Sequence, residues 1–301
     1  MTAPRPVRVA VQVQPQHADY AAIRAVVTEA ERIGVDAVFT WDHFFPLTGD
    51  ADGRHFECWT MLAAWAEATS RVELGPLVSC TGYRNPDLLA DMARTVDHIS
   101  GGRVVLGLGA GWFDRDFTDY GYPLASPAER LDELAAALPR IRARQAALNP
   151  PPIRRIPLLV GGGGERRTLR LVARHADRWH SFGDPDTMRH KIGVLRRHCA
   201  EIGRDPAEVE ISGSVGGGPS PAGEPEDLGP KLRDLGVSLF TLGVSGPDYD
   251  LDPLRRWLAW RDSLPPPPPA PRPSGRKNGM RDALIMVTSS CAVVSATASG
   301  R

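Results

Sequence analysis

Apolar residues along the chain fall into two patterns that take turns. Short unbroken runs such as Val104-Val105-Leu106 are followed by longer stretches in which apolar residues recur every three or four positions. The runs predict strands at 7–14, 35–40, 72–78, 103–109, 156–160, 177–182, 209–212 and 237–242. The periodic stretches predict helices at about 19–33, 56–69, 86–99, 126–148, 165–175, 185–202, 226–235 and 249–263. Within them Ile23, Val26, Val27, Ala30 and Ile33 share one face, as do Leu89, Met92, Ala93 and Val96. Continuous rather than alternating runs imply strands covered on both faces, hence a parallel sheet wrapped in helices. Eight such units in roughly 260 residues suit a (β/α)8 TIM barrel better than the alternative, a doubly wound open sheet.

Gly and Pro punctuate this pattern. Gly101 and Gly102 stop a helix, because the left-handed backbone of a helix C-terminus suits glycine. Asn85-Pro86 starts one, with Asn as cap and Pro in the first turn. Pro139 should kink or split the 126–148 helix. Pro76, which has no N–H for a ladder, should make the third strand irregular. Helix-to-strand turns are short, whereas strand-to-helix loops hold the unusual residues: Trp41-Asp42-His43-Phe44-Phe45, Thr81-Gly82-Tyr83-Arg84, Ala110-Gly111-Trp112-Phe113 and Gly161-Gly162-Gly163-Gly164. In a barrel these loops share the C-terminal rim, where active sites sit.

Composition adds limits. The 301 residues are 42% hydrophobic and 24% charged with zero formal net charge, so neither nucleic acid nor a membrane surface is an expected partner. Residues 1–8 lack an apolar signal core, so a cytoplasmic location is expected. The four cysteines, Cys58, Cys80, Cys199 and Cys291, lie far apart and form no CxxC, which argues for isolated thiols and no metal site. The pattern ends near Ser263. Residues 264–301 form a proline-rich linker and an expected disordered tail, too polar to span a bilayer.

Candidate chemistry concentrates in the rim loops. Asp42 and His43, flanked by aromatic residues, can bind a planar ring and move a proton, or can be a cap and a structural histidine. Gly162, Gly163 and Gly164 let backbone N–H groups converge beside a helix start, which suits a phosphate. A side chain at Gly163 is expected to block that approach and to meet a positive φ. Arg166 and Arg167, placed in the first helical turn, make sense beside an anion. Gly109, Ala110 and Gly111 open a loop that allows close approach to the backbone. No Gly-x-Ser-x-Gly elbow and no HExxH spacing exists, and His175, His180 and His190 read as surface or rim residues.

Five segments, in order, carry a family resemblance: Phe39-Thr-Trp-Asp-His-Phe44, Leu74-Gly-Pro-Leu-Val-Ser-Cys-Thr-Gly-Tyr-Arg-Asn-Pro86, Asp97-His-Ile-Ser-Gly-Gly-Arg-Val-Val-Leu-Gly-Leu-Gly-Ala-Gly-Trp112, Leu159-Val-Gly-Gly-Gly-Gly-Glu165 and Ala176-Asp177. Over about residues 7–260 the chain resembles the bacterial luciferase-like flavin and deazaflavin oxidoreductases, in the branch of actinobacterial coenzyme F420-dependent oxidoreductases. The resemblance implies a barrel with the cofactor ring at its C-terminal mouth and Asp42 and His43 beside it. It implies a non-proline cis peptide between Leu77 and Val78, bulging toward the ring, and a phosphate held by Gly162, Gly163 and Gly164. Trp112 stands where some sugar dehydrogenases of the family carry an acidic residue, which argues against a sugar phosphate.

The leading expectation is hydride transfer between F420 and a small-molecule substrate, with His43 as proton partner. Arg84, Arg166 and Arg167 are expected at the mouth, where they would favour the polyanionic F420 over FMN. The alternatives are an FMN-dependent monooxygenase fed by a partner reductase and a cofactor carrier without turnover. A homodimer is the assembly expected.

Overall fold

A computed structural model describes residues 5–216 and 223–265. The proline-rich linker from 266 onward and the tail, including Cys291, lie outside the described residues. Strand follows helix in the order β1 (Arg8–Val13), α1 (Tyr20–Ile33), β2 (Ala37–Thr40), α2 (Cys58–Ala68), β3 (Glu73–Pro76), β4 (Ser79–Cys80), α3 (Pro86–Ile99), β5 (Leu106–Gly109), α4 (Asp114–Asp119), α5 (Pro127–Ala147), β6 (Leu158–Gly161), α6 (Thr168–His175), β7 (Arg178–Ser181), α7 (Pro185–Glu201), β8 (Glu210–Gly216), α8 (Pro225–Leu235), β9 (Val237–Val244) and α9 (Asp252–Ser263). The sheet order is β3-β2-β1-β9-β8-β7-β6-β5-β4, and every ladder is parallel. β3 and β4 are one barrel strand interrupted at Leu77–Val78. The lower half meets the chain leading into β5, with a parallel bridge from Leu74 to Val104 and a 2.9 Å bond from the Val105 amide to the Leu74 carbonyl. The nine strands are therefore the eight of a (β/α)8 barrel.

Two apolar layers hold it. Val9, Val11 and Val13 of β1 belong to the large cluster between strands and helices. Ala10 faces the other way, into an inner cluster with Phe39, Val105, Leu159 and Leu239. β1, β7 and β8 therefore alternate, contrary to the continuous runs read from the sequence. Their inward positions are Arg8 and Gln12, Arg178 and His180, and Glu210, Ser212 and Ser214. At the base, where these strands begin, Arg8 binds Glu73 and Glu210, each at 2.7 Å. Arg178 binds the same two carboxylates at 2.8 and 2.7 Å. This ring of alternating charge closes the barrel floor.

Local signals explain most element ends. The Asn85 side chain accepts from the Asp87 amide at 2.9 Å, capping α3. Gly101 and Gly102, with φ of 67° and 89°, turn the chain after it. Pro139 neither splits nor ends α5, which continues through it. Leu134, Ala137, Leu138 and Ile141 keep one buried face across it. The proline itself lies on the exposed side, where the carbonyl it fails to bond can reach water. α6 begins at Thr168, so Arg166 and Arg167 precede the helix rather than forming its first turn. Leu264 packs on the core and is not part of a linker.

Candidate active site

His43 is held from three directions. It follows β2 on the C-terminal rim, and its ring meets Trp41, Trp112 and Phe113 edge-on, with centroids 6.2, 5.7 and 5.8 Å away. Its Nδ1 lies 2.6 Å from the Asp116 carboxylate on α4. Asp116 is fully buried and also accepts from the Phe44 amide at 3.0 Å and the Tyr83 hydroxyl at 2.8 Å. Three donors thus converge on it, and the Nδ1 hydrogen is committed to this bond. In the neutral ring Nε2 is then left as an acceptor. Burial pushes the Tyr83 phenol up, so it remains a donor, and its hydrogen is directed at Asp116 rather than at a ligand. Sequence reading missed Asp116. Its only signal was the acidic start of a six-residue helix, Asp114 and Asp116.

Asp42, the neighbour of His43 in sequence, has a different environment. Both its oxygens bind Arg84, at 2.5 and 3.1 Å, and Arg84 also binds Glu57 at 2.7 Å. Burial raises the Asp42 carboxyl above its ordinary value, against the pull of Arg84. This ion pair uses Arg84, which is therefore not the free cation expected at the mouth. Arg167 is paired with Asp132, and Arg166 is exposed and outside the wall of the cleft.

The cleft beside His43 has a volume of about 300 Å³ and is walled by Asp42, His43, Leu77, Val78, Gly109, Ala110, Gly111 and Gly162, among others. Gly163 and Gly164 sit just beyond it. The Leu77–Val78 peptide is cis. The Leu77 amide donates to the Thr40 carbonyl at 2.6 Å, and Gln12 donates to the Leu77 carbonyl at 2.8 Å. The Val78 side chain fills the space left by three glycines. A Cβ would stand 2.6 Å from it on Gly109, 2.9 Å on Gly161 and 3.2 Å on Gly107. Gly111 has φ of 76°, and a Cβ there would fall 2.4 Å from the Cys80 sulfur.

Deeper in the cleft is His180, read from sequence as a surface or rim residue. It is 2% exposed, bonds the Ser212 hydroxyl at 2.8 Å through Nδ1, and is pushed down to about 4 by burial. The cleft's Cys80 is pushed up to about 12 by burial, so it is an inert thiol at neutral pH. Positive φ in the glycine loop falls at Gly162, at 117°, and not at Gly163. Among the described residues no group of His, Cys, Asp or Glu could hold a metal ion, and no helix is long and apolar enough to cross a membrane. A larger hollow of about 810 Å³ lies at the base, bordered by Arg5, Leu264 and Pro265, away from these groups.

The same barrel occurs in solved structures. An F420-dependent secondary alcohol dehydrogenase aligns over 86% of this chain and 98% of its own, with a TM-score of 0.74 at 17% identity. A monooxygenase from Streptomyces bottropensis aligns over 85% and 98%, with a TM-score of 0.66 at 16% identity. In sequence, an uncharacterized protein of Mycobacterium tuberculosis is 30% identical over 180 residues. The match spans 53% of this chain and 64% of that relative. Residues 5–216 match the model of the luciferase-like monooxygenases, and the chain belongs to that family.

Proposed function

We propose that the chain is an F420-dependent oxidoreductase in which His43 exchanges the substrate's proton. The observation that carries this reading is the bond from His43 to Asp116. It fixes the ring, commits Nδ1, and leaves Nε2 free for proton exchange at the edge of a cleft with a largely apolar wall. The cleft fits a ring-bearing, phosphate-bearing cofactor. Leu77 and Val78 offer an apolar wall for a ring, and the Gly163 and Gly164 amides, which have no acceptor among the described residues, offer a phosphate site. A bound deazaflavin supplies hydride exchange at its C5. Around it, Val78 and the glycine loop would bind, and Trp112 and Phe113 would shield His43 from water. His43 Nε2 would accept a proton from a hydroxyl as the substrate is oxidised, or return one as a carbonyl is reduced.

The second reading is an FMN-dependent monooxygenase, favoured by the description of the family whose model the chain matches. Fluorescence titration with each cofactor separates the two. F420 is expected to bind at least about tenfold tighter than FMN, and equal or tighter FMN binding would favour the monooxygenase. With a substrate in hand, His43→Ala should lower turnover by about 10²–10⁴-fold and leave cofactor affinity unchanged. Affinity falling in step with rate would make His43 a binding contact instead.

A further inference from the structure

In the glycine loop every carbonyl from residue 162 to 165 already has a donor. The Trp179 indole N–H donates to the Gly162 carbonyl at 2.8 Å. The Lys191 ammonium donates to the Gly163 carbonyl at 2.6 Å. The Leu169 amide reaches the Gly164 carbonyl at 2.9 Å, and the His198 ring reaches the Glu165 carbonyl at 2.9 Å. None of these donors comes from the cleft side. Trp179 points outward from β7 into the layer between strands and helices, and Lys191 reaches over from α7. A trans peptide directs its C=O and its N–H in opposite directions. A donor that draws a carbonyl toward the helices therefore turns the next amide toward the cleft. Trp179 does this for the Gly163 amide and Lys191 for the Gly164 amide, neither of which has an acceptor among the described residues.

We propose that Trp179 and Lys191 are positioning residues for the cofactor's phosphate. They hold the glycine loop with carbonyls turned away and amides turned in, and neither need touch the anion. Glycine peptides rotate easily because no Cβ restricts them. Without the two donors, either peptide could flip and present a carbonyl oxygen to a phosphate, exchanging attraction for repulsion. Lys191 is well placed for this role. A Cβ on Gly163 would lie 3.0 Å from its nitrogen, so its stem lies along the loop. Glu165, 3.8 Å from the same nitrogen, balances part of its charge.

This inference rests on the cofactor reading above, and the experiment separates the two. The wild type, Lys191→Met, Lys191→Arg and Trp179→Phe would each be titrated with two matched pairs: FMN against riboflavin, and F420 against its phosphate-free ribityl-deazaflavin core. FMN and riboflavin differ by the phosphate alone, so only a phosphate-dependent contact can change their ratio; F420 carries an acidic tail beyond its phosphate as well, so the FMN pair decides and the F420 pair supports it. The wild type should prefer the phosphate-bearing member. Lys191→Met and Trp179→Phe should weaken that member by about tenfold, and the phosphate-free one by no more than about twofold. Lys191→Arg, which keeps a donor, should retain the preference. Lys191→Met removes a partly exposed group, so it reports on the loop even if the buried Trp179 variant fails to fold. Equal losses for both members of the FMN pair, or no loss for either, would overturn the inference and leave the cofactor reading standing. A wild type that binds none of the four ligands would overturn both.

Discussion

At the scale of single residues, the site depends on which carboxylate serves which base. Asp42 and His43 are adjacent in sequence and invite pairing, yet Asp42 binds Arg84 while His43 binds a carboxylate 73 residues further on. One sequence shows that a rim loop carries an acid and an imidazole. It does not show which partner each will meet, because that depends on how separate loops converge over the barrel mouth. Asp116→Asn tests the assignment. The side chain keeps its volume but brings an amide N–H into a pocket where three donors converge, so the His43 ring loses its fixed tautomer. Turnover should fall by about a hundredfold or more, its pH profile should move, and cofactor affinity should hold. A turnover close to wild type would make the bond purely structural. Lower thermal stability is expected as well, since a fully buried acceptor loses matched partners.

Among the elements, strand ends show how close packing replaces side chains with space. Gly109 on β5 and Gly161 on β6 look in sequence like the starts of loops opened for a ligand. In the fold each also makes room for Val78. Gly109→Ala should destabilise the protein by about 1–3 kcal/mol, the usual range for overpacking. Val78→Ala in the same chain should restore part of that loss, since it removes the atom 2.6 Å away. Thermal melts of the two single variants and the double variant give the coupling, and strict additivity would mean that the two side chains do not compete. Long periodic helices were legible to within a few residues, as at α3 and α5. The six-residue α4 was not, because Phe117 and Asp116 are its only buried residues and two positions make no period. Nor was the start of α6. The four-glycine run was legible, but the turn that carries it on to Thr168 leaves no pattern in the sequence.

For the whole molecule, the (β/α)8 architecture was the most legible feature, because alternating runs and periods over most of the chain constrain it together. The polar content of the barrel was not legible. A strand reading Arg-Val-Ala-Val-Gln-Val looks apolar until its inward positions are known. The ring of Arg8, Glu73, Arg178 and Glu210 gives the protein a dependence on acid. Burial pushes the Glu73 carboxyl up, but Arg178 and Arg8 outweigh burial and hold it down at about 2, against an ordinary 4.5. Its contribution, about 3 kcal/mol, is complete above pH 4.5 and is lost as pH falls toward 2. Glu73→Gln should therefore lower stability by about 3 kcal/mol at neutral pH and flatten the decline between pH 4.5 and 2 in denaturant titrations. An unchanged acid slope would assign that loss to other groups. The base also receives both ends of the described chain. Arg5 bonds the Ala207 and Glu208 carbonyls just before β8, and Leu264 borders the same hollow. An affinity handle, a second enzyme or a solid support joined directly to Arg5 or to Pro265, in place of the residues beyond, would thus attach at the pole opposite the cleft and leave its entrance facing solvent.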